Sequence, residues 1–400
     1  MNPISQQIKQ LAAQYHADLV QMRRHLHQYP ELSFEEAETA AFVARYLSEW
    51  GISFQKDVAG HGIVALIEGR NPEKGVVALR GDMDALPIQE ANEVPYCSQR
   101  PGVMHACGHD VHTTCLLGAA RILHDLRDQW SGTVKLLFQP AEERLPGGAS
   151  LMIKDGALEK PKPTAIYGQH VFPLLEAGKV GFRAGMYMAS SDELYLTVKG
   201  KGGHGAMPHE CVDPVLITAH IITALQQIVS RHADPTVPSV LTFGHIASSG
   251  GATNVIPNEV KLMGTFRTMQ ENWRFEAHRR MQRIAEGIAE SMGGACELRI
   301  EVGYPTLFND EALTEKARQN AVEYLGADNV VDLPIRLTSE DFAYFSQVIP
   351  GCFYRLGTRN AARGITSLLH TDTFDIDEDS LPIGAGLLAW MAVCGLDVEC

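Results

Sequence analysis

The sequence predicts an α/β protein with a mostly parallel sheet, interrupted by a smaller inserted α+β unit. Two observations carry this. Short apolar or β-branched runs at Ile63–Ile67, Val76–Leu79, Val134–Phe138 and Ala165–Tyr167 are bounded by Gly, Pro or charge, and a helical stretch, Thr113–Trp130, precedes the third. After Gly185 the pattern changes to the β-α-β-β-α-β order of a ferredoxin-like split unit.

Taken in order, Leu19, Met22, Arg23 and Leu26 mark a helix, and beyond Pro30 the run Phe42, Val43, Tyr46, Leu47, Trp50 marks a second, stopped by Gly51. The strands follow. Each of three runs into a polar cluster: GVVAL into RGDMD, TVKLLF into QPAEE and TAIYG into QHV. Open parallel sheets gather ligands beyond the carboxyl ends of their strands, so these clusters mark a site. In the insertion, Asp192–Lys199 alternates like a half-exposed strand. Asp213–Ser230 and Phe275–Met292 read as helices, and Ser239–Ile246, Glu259–Thr265 and Ala295–Val302 as strands. The chain then returns to helix and strand at Glu311–Leu325, Gly351–Leu356 and a C-terminal helix. The domains so drawn are 1–186 with 301–400, and 187–300.

Composition narrows the function classes. The 400 residues carry a net charge of -14 without a basic stripe, which argues against nucleic acid as a partner. The uncharged stretch Ser380–Leu396 holds Pro382, Gly384, Gly386 and Gly395 and falls short of the ~20 apolar residues a bilayer requires, so it reads as a buried helix and no membrane partner is expected. The N-terminal stretch has no apolar signal core, which points to a cytoplasmic protein with reduced thiols. Its 8 Cys form no CxxC pair, so neither a disulfide framework nor a zinc ribbon is indicated.

The 16 His are the unusual entry in the composition. His105, Cys107, His109, Asp110 and His112 lie within one short stretch, a donor set suited to zinc, cobalt, nickel or manganese, although some could serve only as helix caps. Gly108 fits a tight loop between the donors. Glu142 and Glu143 follow an apolar run, so one carboxylate could bind metal while the other acts as general base; alone, such a pair is usually a solvated surface. His170 and His370 are ambiguous in isolation. Asp82 and Asp84 alternate at strand spacing, and Asp84 could orient a metal-binding imidazole through its other nitrogen.

Some signatures fail usefully. Gly200-Lys-Gly-Gly-His-Gly205 matches a dinucleotide fingerprint, yet no acidic residue follows at the ribose position and Pro208 interrupts it. His209-Glu-Cys-Val-Asp213 lacks the second His of a zincin helix, and neither GxSxG nor a Walker A loop is present.

The ordered motifs MRRHLHQYPELSFEE, LRGDMDALPIQE, MHACGHDVHTT, FQPAEE, GQHVFP, GKGGHGAMPH, GGATNVIP, TSEDFAYF and LLHTDTFD resemble the M20 metallopeptidases over nearly the whole chain. The resemblance is to their aminoacylase and amidohydrolase branch, which includes hippurate hydrolase, N-acyl-amino-acid deacetylases and auxin-conjugate hydrolases. It implies a catalytic α/β domain with an inserted lid or dimerisation domain. It further implies two divalent metal ions (Mn, Zn, Co or Ni) on Cys107, His109, Glu143, His170 and His370, with Glu142 as general base. By the same resemblance, His204 would reach a partner subunit's site and hold an oxyanion, while Asn254 and Arg267 would hold a substrate carboxylate. A homodimer or homotetramer is therefore expected.

The leading reading is a metal-dependent amidohydrolase that cleaves an N-acyl amino acid, acetyl, benzoyl or similar, to a carboxylate and a free amino acid. A dipeptidase or carboxypeptidase acting on small peptides is the alternative. Two others remain open at this point: a thiol enzyme with Cys107 as nucleophile and a neighbouring His as base, and a metal-dependent binding protein.

Overall fold

The computed structural model describes residues 2–396. The chain divides into two compact units, one built from the residues up to Gly185, Phe308–Pro334 and the chain from Asp341 onward, the other from Met186–Leu307 with Ile335–Glu340.

The first unit is mixed α/β around an eight-stranded sheet, ordered Ser53–Val58, Gly62–Glu68, Thr133–Gln139, Val76–Asp82, Ala165–Glu176, Gly351–Arg359, Val180–Phe182, Val330–Asp332. Its four central strands, from Thr133–Gln139 to Gly351–Arg359, run parallel. The strands that flank them join antiparallel, except that the outermost, Val330–Asp332, runs parallel to Val180–Phe182. Every residue of Thr133–Gln139 is buried, as expected of a strand covered on both faces.

Helices His109–Asp125 and Ser380–Leu396 pack against each other through small residues. A side chain at Gly118 would lie 2.7 Å from Ala385, and one at Gly384 would lie 2.6 Å from the Cys115 sulfur. Ser380–Leu396 is buried nearly all round, which explains its uniformly apolar sequence. Among the described residues no helix is long and apolar enough to cross a membrane.

Two boundaries differ from the sequence pattern in ways that matter for the site. The helix expected over Thr113–Trp130 begins at His109 and ends at Asp125, because Gly108 in the left-handed region (φ 80°) turns the chain straight into it. The strand expected to stop at Tyr167 continues to Glu176, so His170 lies within it rather than past its end. Pro173, which has no N–H to give, falls where the pairing with Gly351–Arg359 becomes irregular. A further helix, Pro3–Gln14, precedes those read from the pattern; the Asn2 side chain caps it by accepting from Ile4 N–H, and Pro3 opens its first turn.

In the second unit the strands lie in the order Ser239–Ser248, Glu259–Thr268, Asp192–Lys199, Ala295–Val302, each antiparallel to its neighbour. Asp192–Lys199 alternates as its sequence does, turning Leu194, Leu196 and Val198 inward. These meet Ile217, Ile221, Ala277 and Met281 from helices Pro214–Leu225 and Glu271–Ser291.

Asp192 anchors this unit. It accepts from Arg274 Nη2 at 2.5 Å, from His278 Nε2 at 2.7 Å and from Gly303 N–H at 3.2 Å. Burial pushes its carboxyl up, but the bonds from His278 and Arg274 outweigh this and hold it below the usual carboxylate range. Asp192→Asn should therefore destabilise the unit by about 1–3 kcal/mol at neutral pH, less than a fully stranded charge would cost because Glu271 stays paired with Arg274 at 3.2 Å. A group with a depressed folded pKa stabilises above its unfolded value, near ~4, and loses that contribution as pH falls through the folded one. Denaturant titrations should show the gap between wild type and variant closing on acidification; a gap independent of pH would contradict this.

Candidate metal centre

The site forms where the central strands end. Asp82 closes Val76–Asp82 and pairs with Gln139, the last residue of the next strand, while Gly168 pairs with Arg80. Asp84 and the Glu142–Glu143 pair thus lie just beyond the carboxyl ends of these strands, level with His170 inside its longer one. Gly108 sits against the strand that carries His170, and a side chain there would come within 2.4 Å of Val171. With its positive φ, this fixes glycine at the position that joins Cys107 to His109.

The hydrogen bonds of each imidazole decide which ring nitrogen is available. His109 Nδ1 lies 3.2 Å from Asp84 Oδ1, and its Nε2 is buried with no hydrogen-bond partner. His170 Nδ1 donates to the Val171 carbonyl at 2.8 Å, leaving its Nε2 at 3.5 Å from the Cys107 sulfur. His370 Nε2 lies 3.3 Å from the same sulfur and 3.2 Å from Glu143 Oε1. The Nε2 atoms of His109 and His170 lie near the Cys107 sulfur, and that of His370 lies near the same sulfur and Glu143. His112, by contrast, is committed at both nitrogens: Nδ1 donates to Asp82 at 2.5 Å, and Nε2 accepts from Val171 N–H at 2.9 Å. Neither nitrogen of the buried His105 has a partner, and burial lowers its pKa to about 4, so this ring is neutral.

Two sets of three donors result, and they share Cys107. Cys107, His109 and His170 form one, Cys107, Glu143 and His370 the other, and within each the ligand atoms lie within 4.8 Å of one another. His109, Glu142 and Glu143 form an overlapping group. This donor set fits a pair of divalent cations. The orphaned His109 Nε2 needs an electrophile, and Asp82, Asp84 and Glu142 concentrate negative charge in a buried space.

Asp84 holds the arrangement together. Its carboxylate is almost fully buried and accepts from Ser33 Oγ at 2.6 Å, from His109 Nδ1, and from the backbone N–H of Glu142 and Glu143 at 3.0 Å each. Burial pushes its carboxyl up, but the bonds from His109 and Ser33 prevail and hold it low. Burial also pushes the Cys107 thiol up, and the neighbouring Glu143 and Glu142 charges add to this. That is the opposite of what a thiolate nucleophile needs, so the thiol-enzyme reading finds no support.

In the second unit, His204 pairs with Val255 in a two-residue ladder, and Gly205 N–H donates to the Asn254 carbonyl at 2.7 Å. These two residues are neighbours. His204 Nδ1 accepts from Ala206 N–H at 3.1 Å, so the neutral ring presents Nε2–H as a donor. Arg267 sits near the far end of Glu259–Thr268 and donates to the Leu337 carbonyl at 3.1 Å.

Several buried groups at the site were not singled out from sequence. Asp341 takes two bonds of 2.8 Å from Gln139 Nε2 and one of 2.9 Å from Arg80, and its N–H donates to Glu142 Oε1 at 3.4 Å. Glu36 Oε1 accepts from Phe34 N–H at 2.9 Å and Ala141 N–H at 2.8 Å. Ala141 itself has φ 52°, in a region that alanine seldom adopts, and it immediately precedes the glutamate pair. The only signal was that these acids lie inside the ordered motifs, PELSFEE and TSEDF.

Two donor triads that share a thiol, with the Asp84 and Glu142 carboxylates beside them, have the make-up of a two-metal hydrolytic centre. The chain belongs to peptidase family M20/M25/M40, whose model matches residues 78–392. It is 44% identical to the N-acyl-L-amino acid amidohydrolase of Geobacillus stearothermophilus over 76% of this chain and 81% of that one. Thermostable carboxypeptidase 1 of Saccharolobus solfataricus is 38% identical over 94% of both chains. A solved Bacillus subtilis structure, described as a dinuclear metal binding peptidase of family M20, superposes with TM-score 0.82 at 35% identity and covers 95% of this chain and 98% of its own.

The role of Glu36 can be tested by stability. Burial raises its carboxyl pKa to about 7, so a neutral carboxamide is tolerable there. Glu36→Gln should cost little, while Glu36→Ala, which strands two backbone N–H groups, should cost about 2–6 kcal/mol at roughly 1–3 kcal/mol each. Equal losses in denaturant melts would contradict this.

Proposed function

We propose that the enzyme hydrolyses the amide bond of N-acyl amino acids, releasing a carboxylate and a free amino acid. The observation that carries this is the pair of donor triads sharing Cys107, with the buried Glu142 beside them. Cys107, His109 and His170 would hold one divalent ion, and Cys107, Glu143 and His370 the other. Bound there, the ions supply Lewis acidity that activates a water and polarises the amide carbonyl. A soft thiolate favours zinc, cobalt or nickel over magnesium, and manganese also suits the nitrogen and oxygen donors.

Glu142 takes the proton from the attacking water and passes it to the leaving nitrogen, so that one carboxylate serves as base and then as acid. Its backbone N–H on Asp84 and its Oε1 near Asp341 N–H hold the carboxylate in place. Asp84 keeps the His109 proton on Nδ1 and its lone pair at the centre. The Nε2–H of His204 suits an oxyanion, and such donors typically contribute about 3–4 kcal/mol to the transition state. Arg267 offers a fork to the α-carboxylate of the substrate; Asn254, which lies beside His204 and at the opposite end of the hairpin from Arg267, would reach that carboxylate from the neighbouring subunit, as His204 does in this scheme.

The similarity to an N-acyl-L-amino acid amidohydrolase over most of both chains supports this substrate class, and that to a carboxypeptidase keeps small peptides as the alternative. A homodimer or homotetramer is proposed with it, since His204 acts on a neighbouring subunit in this scheme. Exposed Val215, Leu216, Ile246 and Met263 on the second unit support such an association. A cytoplasmic setting is supported by free cysteines throughout the described residues.

Glu142→Ala should retain both metals and lower kcat by about 10²–10⁴-fold. Wild-type protein that hydrolyses nothing in a broad N-acyl amino acid panel, tested with manganese, zinc, cobalt and nickel, would favour metal-dependent binding instead. Arg267→Met should mainly raise KM, by roughly 10–100-fold for a bond of about 1.5–3 kcal/mol to a charged group. An unchanged KM would remove Arg267 from the carboxylate site.

A further inference from the structure

Behind the centre lies a second charged cluster that the proposed chemistry does not use. Arg23, on helix His16–Gln28, is fully buried. Its Nε donates to Asp110 Oδ2 at 2.8 Å and its Nη1 to Asp375 Oδ1 at 2.9 Å. Both acids are otherwise engaged. His27 Nδ1 also lies 2.7 Å from Asp110 Oδ2, and its Nε2 lies 3.1 Å from Glu90 Oε1. Tyr96 OH donates to Asp375 Oδ2 at 2.7 Å.

The two acids that Arg23 joins have telling positions. Asp110 directly follows His109, in the first turn of helix His109–Asp125, where a carboxylate also suits the helix dipole. Asp375 lies just past His370, on a loop that has little regular structure of its own. That loop touches the Cys107 segment through one backbone bond, from His370 N–H to the Ala106 carbonyl at 2.8 Å. His370 has φ 61° and a half-exposed side chain, so its own packing does little to fix it.

We propose that Arg23 is a positioning residue for the metal centre: its guanidinium clamps Asp110 to Asp375 and so sets His370 against Cys107 and Glu143. This rests on the ligand assignment made above. A planar fork with donors at fixed angles can hold two carboxylates in one geometry, which a lysine ammonium cannot do. The donor set that spans both segments, Cys107 with Glu143 and His370, depends on the clamp. The set of Cys107, His109 and His170 does not reach the Asp375 loop.

The test is titration of metal-free full-length enzyme with cobalt(II) against a chelator, resolving two binding steps, for Arg23→Lys and Asp375→Asn. His370→Ala identifies the step that uses His370. Both variants should weaken that step by about 10–100-fold, as loss of ligand support typically does, and leave the other step near its wild-type value. The metal-free melting temperature then separates positioning from general stability. Unchanged affinities in both variants overturn the proposal. So does equal weakening of both steps in proportion to a fall in that melting temperature. If Arg23→Lys fails to fold, Asp375→Asn, which leaves the Arg23–Asp110 pair in place, carries the test alone. Wild type that takes up no cobalt would refute the ligand assignment itself, whereas normal wild-type uptake with unaltered variants refutes only the clamp.

Discussion

The centre depends on the carboxylate of Asp84. Ionised and almost without solvent, it would cost several kcal/mol if left unpaired. Four hydrogen bonds offset that cost, and their origins explain the architecture: the Ser33 hydroxyl ahead of helix Ala37–Glu49, an imidazole at the start of another helix, and the backbone of two adjacent glutamates. Because one rigid group receives all four, the positions of His109, Glu142 and Glu143 are not independent. In the proposed mechanism a metal ligand and the general base are aligned by the same two oxygens.

The surrounding fold serves this arrangement. Parallel strands ending at Asp82 and Gln139 leave their following residues at one end of the sheet, and the left-handed Gly108 delivers Cys107 and His109 to it. Uncommon backbone at Ala141 turns the glutamate pair inward, and Glu36 and Asp341 accept or donate the bonds that hold it there. The cluster of Arg23, Asp110 and Asp375 extends the same logic outward, with buried charges linking segments that are far apart in sequence. Such networks stabilise little by themselves, and their value lies in fixing one geometry.

Much of this was legible in the sequence, and what was missed has physical causes. Strand runs such as TVKLLF and the alternation of DELYLTVK are local, so periodicity shows them. The ordered motifs marked Cys107, His109, Glu143, His170 and His370, and the structure brings all five together. The start of the helix at His109 was hidden because Gly108 reads equally as loop or helix entry, and only its φ decides. The length of the strand through His170 depends on a partner, Gly351–Arg359, far along the chain. Glu36, Arg23 and Asp341 looked like ordinary charged residues, since burial by distant segments leaves no local trace. His112 resembled a ligand as much as His109 did, until its two hydrogen bonds showed that no lone pair was left.

The central claim is that Asp84 aligns the metal ligand and the base together, and replacing it by asparagine tests this most directly. Asparagine keeps the shape but turns an NH₂ toward donors that need an acceptor. Metal affinity measured against a chelator should fall by about 10–100-fold. The kcat measured at saturating metal should fall as well, because Glu142 is displaced even when the ions are bound. Wild-type kcat at saturating metal would show that Asp84 supports the ligand alone and would contradict the account.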